Sequence, residues 1–309
     1  MIRRENVEDR YEVEDISYES SHIDEVWDAI EEKIGEYFNR YKIQRGLSSD
    51  DLDFSDLSSK GWTIAKSASK KSSLNINAII EDFEKDRKEY LEFLDMDSLE
   101  EFDYDPNGFK KELRNGIPKI RKTLKSKRKE LDKFKIDFKD ASSSELLEVV
   151  KNIVKLANEI MVKNVKVIDN EALDDYVHFD EEPCRQQGVI GGNIRTLFIH
   201  KMDPSKFPYI SASALWALYF LSGCESFGCE EGSEFVIFDE AKGTATENYW
   251  YPYVLFVIYA YEIYNWISQK IEIPSKYKYV IVEDFLSFVA NEHKKDIGVL
   301  GNSDFDYYL

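Results

Sequence analysis

Residues 186–223 read QQGVIGGNIRTLFIHKMDPSKFPYISASALWALYFLSG, and residues 224–268 continue CESFGCEEGSEFVIFDEAKGTATENYWYPYVLFVIYAYEIYNWIS. A glycine-rich turn at Gly188, Gly191 and Gly192 opens a helix carrying Arg195 and His200. Pro204 and the Phe207-Pro208 pair end it, because proline has no amide hydrogen and disfavours a helical residue before it. Two strongly apolar segments of helix length follow, at about 211–222 and 252–268. Between them a short strand at 234–238 runs into Asp239-Glu240-Ala241-Lys242. The longest apolar run, Tyr253 to Ile267, contains Glu262 and falls short of the roughly 20 residues that a membrane span needs. It therefore predicts a buried core helix and no membrane association. The expected fold is mainly α (α+β), with a helical N-terminal region and a C-terminal helical core carrying a small β element.

Working outward, residues 1–20 are acidic and weakly periodic and read as an arm. Ser21 starts an N-cap pattern with Asp24 and Glu25 in the first turn. Ile23, Trp27, Ile30, Ile34, Phe38 and Tyr41 then recur at helical spacing. Residues 46–75 are rich in Ser and Asp and read as loop. A second helix is expected from Asn77 to Leu94. Asp105-Pro106-Asn107-Gly108 signals a turn, and a basic helix is expected over 108–138, with Pro118 marking a kink or a helix start inside it. Ser144 is expected to cap the next helix, Val165–Ile168 to form a short strand, and Tyr277–Val282 a strand or a helix start. The expected division is an arm at 1–20, a helical region at 21–140 and an α+β domain at 141–309.

The chain of 309 residues carries a net charge of −19, which argues against a generic nucleic-acid coat. That charge is segregated. Residues 107–136 hold twelve Lys or Arg against three Asp or Glu, a net of +9, so the remainder carries −28. On a helix, Lys119, Lys122, Lys125, Arg128 and Lys129 would present a cationic ridge to phosphates. The other reading is a solvated helix that offsets the acidic remainder. Three cysteines, Cys184, Cys224 and Cys229, do not make a disulfide framework, and no signal peptide is visible at the N-terminus. Both features suggest a reducing, cytoplasmic setting.

Several groups carry candidate chemistry. Glu234-Phe-Val-Ile-Phe-Asp239-Glu240-Ala-Lys242 puts two carboxylates and a lysine at the end of an apolar strand. Metal-dependent nucleases place such groups to hold Mg²⁺ and orient water. Tyr249, Trp250 and Tyr251, ahead of Pro252, form the densest aromatic cluster and could stack an extruded base. Cys224-x4-Cys229 would need two more ligands for zinc, from His178, Cys184 or His200, at poor spacing, so no metal site is expected. The glycines at 188–192 lack the preceding strand and the Lys-Ser/Thr ending of a phosphate loop.

Arg195-x4-His200 is similar to the Arg/His pair of HEPN-type helical ribonucleases. Over a longer span, His200-x3-Pro204-x2-Phe207-Pro208-x2-Ser211 followed by an apolar helix resembles a helical segment of bacterial restriction and phage-defence proteins. These include McrB-type modules and helical DNA glycosylase-like proteins. The resemblance covers about 25 residues. Where the glycosylase-like proteins tend to carry Asp after the Phe-Pro pair, this chain has Ser211. The resemblance implies action on DNA in phage defence, with base excision preferred over strand cleavage. In that reading Asp239, Glu240 and Lys242 are catalytic and need no cofactor, Mg²⁺ entering only if the protein is a nuclease. Arg195, His200, Ser211, Tyr249, Trp250 and Tyr251 bind substrate. The alternative is a non-catalytic acidic subunit or inhibitor that binds a basic protein partner.

Overall fold

The computed structural model describes residues 15–46, 76–163, 170–229, 233–239, 241 and 243–301. It is mainly helical, with one two-stranded antiparallel sheet among those residues. Helix α1 (Ser20–Arg45) buries His22, Val26, Ile30, Ile34, Phe38 and Tyr41. This face is rotated at its start from the expected one, since Ile23 and Trp27 are only partly buried. Gly46 ends it in the left-handed conformation at φ 64°, donating its amide to Ile43 and Lys42 carbonyls. Helix α2 (Ile76–Phe93) falls within a residue of its expected limits, and the short α3 (Met96–Glu101) follows.

The basic stretch is not one helix. It forms α4 (Pro106–Gly116), α5 (Pro118–Lys125) and α6 (Asp132–Asp140). Asp105-Pro-Asn-Gly is a helix start rather than a free turn: the Asp105 carboxylate accepts from the Gly108 amide at 2.9 Å, and Pro106 occupies the first turn. Pro118 holds Ile117 extended, at φ −87° and ψ 110°, which separates α4 from α5. Arg128 lies in the extended linker after α5, so the five cations cannot share one helical ridge.

Helix α7 (Ser143–Val162) is capped by Ser142, two residues before the expected Ser144. After α8 (Asn170–Val177) come α9 (Gly192–Met202), α10 (Ala212–Leu221), strands β1 (Val236–Asp239) and β2 (Thr244–Glu247), and α11 (Tyr253–Ser268). Strand β1 pairs with β2 from Val236↔Glu247 to Asp239↔Thr244. Residues 278–292 begin a helix rather than a strand, α12 (Lys278–Glu292), and α13 (Lys294–Gly301) ends the described chain. The expected strand at 165–168 lies outside the described residues.

Helix α10 is apolar around almost its whole circumference because it is interior, whereas α11 buries one side and leaves Glu262 and Asn265 half-buried on the other. Every α10 side chain is buried, and α12 packs along it. Helix α1 covers α10, α11 and α12, and α2 covers α9 and α12. Buried residues from Val26 to Ile297 form one continuous cluster. The expected boundary at 140/141 therefore falls inside a shared core.

No helix among the described residues is long and apolar enough to cross a membrane.

Candidate functional site

The site is built around the start of α9. Gln186 and Ile190 exchange backbone hydrogen bonds of 3.1 and 2.9 Å, closing a loop in which Gly188 takes φ +77°. A side chain at Gly188 would be both strained and within 2.3 Å of the Asp137 carboxylate. Gly191 then caps α9 and has no side chain to accept from the first-turn amides, which among the described residues leaves these donors for another acceptor. Gly192 is required for a different reason. A Cβ there would lie 2.4 Å from the Tyr249 carbonyl oxygen, so glycine lets the 248–251 turn close onto the helix.

Facing this helix start is a cavity of about 900 Å³, within the usual range for small-ligand sites. Its walls come from α5 (Lys119, Thr123), Leu131 and Phe134, the 185–195 segment, and Tyr249 and Trp250, with the carboxylates Glu145 and Glu182 also on the lining. The Arg185 guanidinium stands 5.4 Å from the centre of the Trp250 ring, and that ring is 36% exposed. Together they make a flat cation–aromatic platform.

Arg195 is 2% exposed and pairs closely with Asp180. The other Asp180 oxygen accepts from the Tyr253 amide at 2.6 Å, tying α9 to the start of α11. Burial lowers the Arg195 pKa and raises that of Asp180, the attraction between them only partly opposing this. The Arg195 Nε and the Gln186 Oε1 are buried without a hydrogen-bond partner among the described residues. One is a donor and one an acceptor, and both residues line the cavity. Buried polar atoms are usually satisfied, so two such atoms within residues of one cavity wall are informative.

Behind Lys119 lie two carboxylates that the sequence reading did not select. Burial raises the Glu247 pKa, and its side chain accepts from Trp216 Nε1 at 2.7 Å. Burial pushes Glu283 up to about 7, against the pull of Lys201. Lys119 is itself lowered, first by burial and then by Lys122, while Glu283 and Glu247 act to raise it. Neither glutamate shows in a local pattern, because β2 and α12 bring them together from separate parts of the chain.

The cavity thus unites Arg195, Tyr249, Trp250 and Lys119. Among the described residues, it does not unite the remaining candidates. His200 is fully buried between Phe83 and Tyr209, its Nδ1 2.7 Å from the Phe207 carbonyl oxygen, and burial drives its pKa down to about 3. It is a neutral core group. Ser211 caps α10, accepting from the Ala214 amide at 3.0 Å. Tyr251 is buried and donates to Glu234 at 3.1 Å. The segment that carried the resemblance is therefore interior packing. Asp239 sits at the turn end of the hairpin, whereas Tyr249–Tyr251 follow its other end, three residue steps and about 10 Å along the strand. Glu240 and Lys242 lie outside the described residues. Lys122, Lys125 and Lys129 are exposed, and Arg128 is half-buried. Cys184 is buried, and burial pushes its thiol up to about 11, so it is a neutral thiol rather than a nucleophile.

In comparisons with known proteins, no family model, no curated protein and no solved structure matches this chain.

Proposed function

We propose that the protein recognises DNA by taking one nucleotide of a single-stranded or locally opened strand into the α9 cavity. The observation that carries this reading is the convergence at one cavity of the uncapped α9 start, the buried Arg195 with its unpartnered Nε, and the Arg185–Trp250 platform. A helix start with free amides favours phosphate, and a flat aromatic face stacks any base. The lining's three cations and two carboxylates suit a ligand that bears phosphate together with amino or hydroxyl groups. Lys122 and Lys125, exposed on α5 beyond Lys119, would meet neighbouring phosphates.

The proposed setting is cytoplasmic phage defence, and it rests on the resemblance at 195–220. Base excision by Asp239, Glu240 and Lys242 is not carried forward, because the hairpin register separates Asp239 from the aromatic platform. If a hydrolytic step occurs, Glu145 and Glu182 are the carboxylates on the cavity wall.

Anisotropy of a labelled single-stranded oligonucleotide, measured over a range of salt, tests the proposal. Trp250→Ala is expected to weaken binding by about 5- to 100-fold, from the loss of one stacked base. Lys122→Glu with Lys125→Glu is expected to weaken it further and flatten its salt dependence. Absence of binding at low salt, or affinity untouched by Trp250→Ala, refutes it.

A further inference from the structure

Away from the cavity, three side chains of metal-binding type meet in the interior from distant parts of the chain. His22 lies in the first turn of α1, Cys229 lies in the connection between α10 and β1, and Glu234 precedes β1. All three are buried, and one ligand atom from each lies within 4.8 Å of the others. We propose that His22, Cys229 and Glu234 form a binding site for one divalent cation of the zinc class.

The donor set decides the cation. A thiolate, an imidazole and a carboxylate suit zinc and its borderline neighbours, whereas magnesium and calcium take oxygen. The spacing is compatible. A tetrahedral zinc with these bond lengths holds its ligand atoms about 3.4–3.6 Å apart. His22 Nε2 and Glu234 Oε2 stand at 2.9 Å here, and the set closes within 4.8 Å, so small side-chain rotations separate this arrangement from a bound one. Among the described residues no fourth His, Cys, Asp or Glu joins the set, and water would complete the shell.

The surroundings orient the ligands. The Tyr251 hydroxyl donates to Glu234 Oε1 at 3.1 Å, which leaves Oε2 turned toward His22. The Asn248 amide donates to the Glu234 backbone carbonyl at 2.9 Å. Such outer hydrogen bonds hold metal ligands in place. The loop that delivers Cys229 also calls for a tie. Gly223, Cys224, Phe227 and Gly228 all have positive φ, and Cys224 and Phe227 are not glycines. Conformations of this kind persist only where the surroundings enforce them. A cation at Cys229 would bind this loop to α1 and, through Tyr251 and Asn248, brace the turn that carries Trp250. Cys224 is exposed and outside the cluster, so the Cys224–Cys229 spacing gives no hint of the set. The decisive partner is His22, about 200 residues away in sequence.

The test is a cobalt titration of the chelator-stripped, full-length protein. One equivalent of Co(II) is expected to produce a thiolate-to-cobalt charge-transfer band in the near ultraviolet and visible bands of tetrahedral type, both erased by Zn(II). Cys229→Ser should lose the charge-transfer band while Cys224→Ser keeps it. His22→Gln and Glu234→Gln should each weaken zinc binding at least about tenfold. No charge-transfer band in the folded wild-type protein overturns the proposal, as does a band that survives in Cys229→Ser.

Discussion

Asp180→Asn is the sharpest probe of the cavity's construction. The substitution keeps the size and one acceptor oxygen for the Tyr253 amide, but it removes the charge opposite Arg195. Arginine does not give up its proton in proteins, so the variant buries an uncompensated cation at a residue only 2% exposed. Breaking one side of such a pair costs about 3–5 kcal/mol. For a chain of this size that corresponds to a fall in melting temperature of about 6–15 °C, taking roughly 2–3 °C per kcal/mol. Replacing both partners, as in Asp180→Asn with Arg195→Met, removes the buried pair, leaving only the more exposed Arg185, 3.7 Å from Asp180, without its carboxylate, and should recover most of the loss. Thermal and urea unfolding of the wild type, both single variants and the double variant give the coupling directly. The same variant links stability to binding. With its carboxylate gone, Arg195 has a stronger need of an anion from the cavity, so inorganic phosphate should stabilise Asp180→Asn more than the wild type. A loss below about 1 kcal/mol, or strictly additive single effects, would show that the pair is not a buried, coupled unit.

Glu283→Gln tests the carboxylate behind Lys119. Its folded pKa of about 7 lies above the ordinary 4.5, so the stability associated with its proton is complete below pH 4.5 and is lost as pH rises through 7. The variant should flatten that limb and be more stable than the wild type at pH 8 by about 1–3 kcal/mol; superimposable pH–stability profiles would contradict this. Gly192→Ala should push the 248–251 turn away from α9, lowering stability by about 1–3 kcal/mol and weakening oligonucleotide binding together, and binding that survives intact would remove the close approach from the site. Leu218→Asp, at a position 1% exposed in α10, should cost at least about 4 kcal/mol, and a soluble variant that melts normally would mean that the core is misplaced.

The elements that were legible in the sequence are those with strong local signals. The strongly apolar α10 and α11, the punctuation at Pro204 and Phe207-Pro208, and the helical spacing in α1 and α2 are all set by contacts or breakers within a few residues. Boundaries and faces that depend on tertiary partners were not legible. The expected single basic helix is three, since Pro118 and the linker at 126–128 break it, and the aligned cationic ridge goes with it. Strand β2, reading Thr-Ala-Thr-Glu, has too little apolar alternation to stand out, and it becomes a strand by pairing with β1.

The site divides the same way. Trp250, Tyr249, Arg195 and Lys119 were selected for their chemistry, and the fold brings them to one cavity. His200, Ser211 and Tyr251 were selected on the same grounds, yet a core hydrogen bond, a helix cap and a buried network use them instead. Asp180, Glu247, Glu283 and the His22–Cys229–Glu234 set depend on contacts between distant segments, which no local pattern records.

Photo-crosslinking of a single-stranded oligonucleotide carrying one bromodeoxyuridine, with the adduct mapped by peptide mass spectrometry, tests nucleotide capture in the cavity most directly. The account predicts adducts at Tyr249, Trp250 or Phe134, competed away by unlabelled strand and absent at high salt. Adducts confined to surfaces away from the α9 cavity, or no competable adduct at all, would contradict it.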